Sequence, residues 1–103
     1  MMIKEGVRVL GLRPEIVLAA VIAESVYRQH GAEAVITSAI DGVHSTGSLH
    51  YAGCAIDLRI SNINTAAVHV VHQKLLNALG KDYDVVIEKD HLHLEYQPKE
   101  AYI

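Results

Sequence analysis

Long apolar runs alternate with short polar punctuation along the chain, and the period of each run predicts its element. "RPEIVLAAVIAESVYRQHG" has the marks of a helix. Pro14 suits the first turn, Glu15 complements the positive end of the helix dipole, and Gly31 closes the far end. From Ile16 to Ala23 it is apolar almost all round, which predicts a helix lying deep against a sheet. "AEAVITSAI" is rich in β-branched residues and predicts a strand around Val35 to Ser38; the Gly, Ser and Asp of "DGVHSTGS" predict a loop after it. "CAIDLRI" predicts a second strand. Its alternation puts Cys54, Ile56, Leu58 and Ile60 on a core face and Ala55, Asp57 and Arg59 on a polar one.

"NTAAVHVVHQKLLNALG" predicts a second helix, capped by Asn62 or Asn64 and ended by Gly80. "DVVIEKDHLHLEY" predicts a hairpin: Val85 to Glu88 turns through Lys89 and Asp90 into His91 to Tyr96. The series predicts one α+β domain over residues 1–103, two helices packed on one face of a small, mainly antiparallel sheet. No repeat, linker or low-complexity segment interrupts it.

Composition adds that the core is aliphatic, because the chain has no Phe and no Trp and its five Tyr are the only large rings. A net charge of −3 with no basic run argues against nucleic-acid binding through phosphate contacts. The single Cys54 cannot form an intramolecular disulfide and reads as a small core residue. "MMIKEGVRVL" lacks the apolar stretch of a signal peptide, and "IVLAAVIA" is too short to span a bilayer. The expectation is synthesis in the cytoplasm without membrane insertion. A substrate outside the membrane would be met only after release by another agent.

The seven histidines differ in what they imply. His30 ends a helix, where an imidazolium complements the dipole. His69 and His72, three apart on the second helix, read as part of a solvated face. His91 and His93 alternate on a strand and project to one face. His50 precedes the strand that carries Asp57. Together His50, Asp57 and His91 or His93 offer two nitrogens and one oxygen from separate elements, a set that suits Zn2+ with one position left open for water. Such a water ionises near neutrality and attacks carbonyls. A hydrolase also needs a carboxylate base, and Glu88 and Asp90 are both within a hairpin's reach of that position. Glu95 continues the parity of His91 and His93. It reads either as a partner orienting a ligand imidazole or as a cross-strand pair with Arg59.

"SLHYAGCAID" matches the S-x-H-x-x-G-x-A-x-D signature of the D-alanyl-D-alanine carboxypeptidase-like zinc metallopeptidases, and "DHLHLEY" resembles their closing metal strand. That superfamily includes vancomycin-resistance dipeptidases, bacteriophage peptidase endolysins that cut L-alanyl-D-glutamate bonds and, more distantly, hedgehog domains. The resemblance covers roughly Val35 to Tyr96. It implies that His50, Asp57 and His93 bind zinc, that Gly53 permits the close turn between the first two, and that Ser48 helps bind substrate at the rim. It implies that His91 steadies the tetrahedral intermediate and that the base is Asp90, three before the ligand, or Glu88, at the end of the preceding strand.

The implied substrate is a peptidoglycan stem peptide or a related D-amino-acid peptide. The small size and missing signal peptide fit a phage or prophage product, freed through a holin or carried on a virion. One feature departs from the pattern. Many members carry an arginine in a segment resembling S-G-Y-R, and "TSAIDG" has none; Arg59 or His44 is left to take its place. The alternative is a zinc-binding structural or virion module of the same fold that performs no hydrolysis.

Overall fold

The computed structural model describes residues 1–40 and 52–99. Its elements in chain order are β1 (Met2–Ile3), α1 (Pro14–Gln29), β2 (Val35–Ser38), β3 (Ala55–Arg59), a 3-10 turn (Thr65–Ala67) leading into α2 (Val68–Leu79), β4 (Tyr83–Ile87) and β5 (His91–Tyr96). The five strands form one mixed sheet in the order β1-β2-β3-β5-β4. Among the described residues only β1 runs parallel to its neighbour; the other pairings are antiparallel.

Both helices cover the same face of the sheet. Ile16, Ala19, Ala23 and Tyr27 of α1 and Val71 and Leu75 of α2 meet Ile36, Ile56, Leu58, Val85, Leu92 and Leu94 in a single cluster. Leu58, Leu92, Leu94 and Ile56 are fully buried, as the alternation along β3 and β5 requires. Tyr27 is the largest fully buried side chain, and its hydroxyl donates to the Arg59 carbonyl at 2.7 Å. That bond offsets the cost of burying the hydroxyl and ties the end of β3 to α1. Burial in turn pushes the phenol pKa up. Asn64 caps the 3-10 turn by accepting from the Ala66 N–H at 3.0 Å, and Gly80 ends α2 at a φ of 87°.

The structure differs from the sequence pattern at four places. β1 has no counterpart in the sequence reading; the Met2 and Lys4 N–H groups donate to the Ala34 and Ile36 carbonyls at 2.8 and 2.9 Å. β4 begins at Tyr83 and ends at Ile87, leaving Glu88 in the turn. α1 is not deep on all sides: Val17, Leu18 and Val21 are about half exposed, because the sheet covers only one stripe of the helix. Cys54 is half-buried outside the core, since β3 starts one residue later and the alternation does not extend to it. Among the described residues no helix is long and apolar enough to cross a membrane.

Candidate metal centre

The face of the sheet away from the helices carries the polar members of β3 and β5. Antiparallel register sets Asp57 opposite His93, Arg59 opposite His91 and Ala55 opposite Glu95. Arg59 therefore faces His91 and not Glu95, which removes the cross-strand ion pair from consideration. Among the described residues Asp57 is the one buried charged side chain, at 9% exposure.

His93 sits between two carboxylates. Its Nδ1 lies 3.1 Å from Asp57 Oδ1, and its Nε2 lies 2.8 Å from Glu95 Oε1. A neutral imidazole carries a single N–H. When Glu95 takes it at Nε2, the lone pair of Nδ1 faces a carboxylate lone pair. That arrangement is favourable only if a proton or a cation is shared between the two atoms. With a proton there, the Asp57 carboxylate raises the His93 pKa, partial burial opposes the rise and Glu95 reinforces it. With a metal there, Asp57 and His93 supply an oxygen and a nitrogen to one point, while Glu95 fixes the ring from behind. The residues present thus fit a divalent ion that takes nitrogen and oxygen donors. His50, the third expected ligand, lies outside the described residues, as do Ser48 and His44. Among the described residues no group of three His, Cys, Asp or Glu is arranged to hold a metal ion.

His91 extends the array. Its Nδ1 lies 2.6 Å from Asp90 Oδ1, and its Nε2 lies 3.6 Å from Asp57 Oδ2. The bond from His91 holds the Asp90 carboxyl below its usual range. Asp57, Arg59, Asp90 and His91 line a pocket of about 460 Å³ together with Lys4, Thr37, Ser38 and Ser61. Glu88, exposed in the turn, does not line it; its backbone N–H donates to the His91 carbonyl at 2.8 Å. Strict alternation would send Thr37 and Ser38 to opposite faces. Instead a bulge pairs Ile36 with Leu58 and Ser38 with Asp57, and both Thr37 and Ser38 line the pocket.

Gly53 behaves as a required glycine. Its φ is +74°, and a Cβ there would collide with the carbonyl oxygen of Gly11. The Gly53 carbonyl accepts from the Arg13 N–H at 3.0 Å, so the turn before β3 is clamped to the start of α1.

Of the other described histidines, His30 and His72 have partners. His30 stands at the C-terminal end of α1, and its Nε2 lies 3.0 Å from Lys74 Nζ on α2. His72 is half-buried and donates from Nε2 to the Val85 carbonyl at 2.7 Å, whereas His69 is exposed. Lys4 was missed by sequence reasoning. Its only sequence signal is a cation after three apolar residues, too short a pattern to place it in a pocket. No protein-family model and no curated protein matches the chain.

Proposed function

We propose that the chain is a zinc-dependent peptidase of the D-alanyl-D-alanine carboxypeptidase-like kind, with the corresponding hedgehog-like fold, acting on peptide bonds of bacterial peptidoglycan and of phage or prophage origin. The observation that carries the reading is the convergence of Asp57 Oδ1 and His93 Nδ1 at 3.1 Å on adjacent strands, with Glu95 bonded to the opposite ring nitrogen. Zinc, held by His50, Asp57 and His93, would supply Lewis acidity and a readily ionised water.

The chain's own residues have separable tasks. With an ion at Nδ1, the Nε2–H of His93 would donate to Glu95, which would hold the tautomer that leaves the Nδ1 lone pair for the ion. Asp90 holds the His91 ring through Nδ1, which turns Nε2 towards Asp57, where it can steady negative charge developing on a carbonyl oxygen. Asp90 lines the pocket and is the better placed of the two acids to take a proton and return it to the leaving amine. Glu88 keeps the turn and is the reserve base. Arg59, with Ser48, would bind the substrate. Soluble stem peptides and cross-linked dimers are the substrate class, reached through a holin or from a virion.

The test is mass spectrometry of purified peptidoglycan fragments incubated with zinc-loaded protein, beside a chelated control. The expected result is a new, chelator-sensitive fragment whose mass names the bond, lost in Asp90→Ala with zinc content unchanged. Absence of product from protein shown to hold one zinc would overturn the peptidase and leave the non-hydrolytic zinc module.

A further inference from the structure

We infer that Lys4 and Arg59 form a two-cation subsite in the pocket beside Asp57 that binds a carboxylate. Both line the pocket, and among the described residues neither side chain has a hydrogen-bond or ion-pair partner. This is unusual in a chain with more acids than bases, where Arg28 and Lys99 are each paired. A guanidinium and an ammonium facing the same space leave charged donors unsatisfied, which is the requirement of an anion site.

The backbone fixes both cations. Arg59 lies two residues along β3 from Asp57, about 6.6 Å at the rise of a strand. The Tyr27 hydroxyl holds its carbonyl from the core side at 2.7 Å. Lys4 directly follows β1, and its N–H bonds the Ile36 carbonyl at 2.9 Å, which sets it beside the bulge that brings Thr37 and Ser38 to the pocket. β1 lies two strand spacings from β3, about 9.6 Å, so long side chains from the two strands reach a shared point from opposite sides.

The chemistry selects a single carboxylate. Two cations in the pocket stand against the carboxylates of Asp57 and Asp90, so a multiply charged anion would meet as much repulsion as attraction. A planar monoanion matches the guanidinium fork, with the ammonium closing on it from the other side. On the peptidase reading, on which only this consequence rests, the carboxylate lies within about one residue of the cleaved bond, and the absent upstream arginine is replaced from two strands that the signature does not include.

The test uses metal-free full-length protein and follows amide shifts by NMR as N-acetyl-D-alanine, its amide, or the α-amide of N-acetyl-D-glutamate is added. The expected result is a Kd of order 1–10 mM for the carboxylates, with shifts at Lys4, Thr37 and Arg59, and none for the N-acetyl-D-alanine amide. The tighter of the two acids tells a chain-terminal from a side-chain carboxylate. Lys4→Ala and Arg59→Ala should each weaken binding about 10-fold, and Arg59→Lys less, with the rest of the spectrum reporting an intact fold. Equal binding of acid and amide, no saturable shifts, or indifference to both substitutions would overturn the subsite. Because no zinc is present, those outcomes leave the peptidase reading untouched, while failure to bind zinc leaves the subsite standing.

Discussion

On one side of β3, Ile56 and Leu58 are fully buried among side chains from both helices and the neighbouring strands; on the other, Asp57 and Arg59 look onto a pocket of charges and hydroxyls. The same five residues of backbone serve both. The core side is held by many weak, non-directional contacts, so no single partner defines any position there. The open side is held by few contacts of fixed geometry: His93 to Asp57 and Glu95, His91 to Asp90. Substitutions on the first side should therefore appear as lost stability, and on the second as lost binding.

The sharpest break of the comparison is Asp57→Ala. It should abolish stoichiometric zinc uptake and reduce peptide cleavage by at least about 10³-fold, read by metal analysis and fragment mass spectrometry. The neighbouring Leu58→Ala should do the reverse. It should cost about 2–5 kcal/mol in urea unfolding while the folded fraction still takes up zinc. Similar zinc loss in both would mean that the two faces are not independent.

Glu95→Gln sharpens the open side alone. With the carboxylate behind His93 gone, zinc affinity should fall about 10- to 100-fold in a chelator competition, and unfolding should shift little. The smallest effect concerns a polar contact on the helix side. Glu24 accepts from Arg28 Nε at 2.6 Å and from the Ala34 N–H at 2.8 Å, joining α1 to the start of β2. Burial opposes its ionisation, but these bonds and the nearby Met1 ammonium outweigh it and bring its pKa to about 2. The folded value lies below the unfolded one, so the stabilisation is complete above about pH 4.5 and is lost as pH falls towards 2. The stability difference between the parent and Glu24→Gln, about 1 kcal/mol at pH 7 after solvent screening, should vanish across that window, and zinc uptake at neutral pH should not change.

Where the pattern along the chain was locally determined, it was legible. Pro14 and Gly31 bracket α1, β2 and β5 fall on Val35–Ser38 and His91–Tyr96, and the parity of β3 separates its two faces. What could not be read depends on contacts between distant segments. β1 is two residues long and exists through its pairing with β2, so it has no period of its own. Equally, nothing in "VVIEKDHLHLEY" shows that His93, and not His91, lies opposite Asp57; strand register settles that. The exposed stripe of Val17, Leu18 and Val21 follows from how many layers cover α1, which its own composition does not encode. The bulge at Thr37 and the arrival of Lys4 beside it are likewise products of pairing.

The anchoring of Lys4 has a thermodynamic corollary. β1 is an edge strand joined to the sheet by hydrogen bonds from Met2 and Lys4, the slenderest attachment among the strands. Elements of that kind open locally at a small fraction of the global unfolding free energy. Each opening withdraws one of the two cations, so the apparent affinity for an anion is the intrinsic affinity scaled by the fraction of molecules with β1 docked. Ligand and edge strand are then linked: an anion in the pocket slows hydrogen exchange at the Met2 and Lys4 amides, and any substitution that loosens β1 weakens binding without touching the pocket.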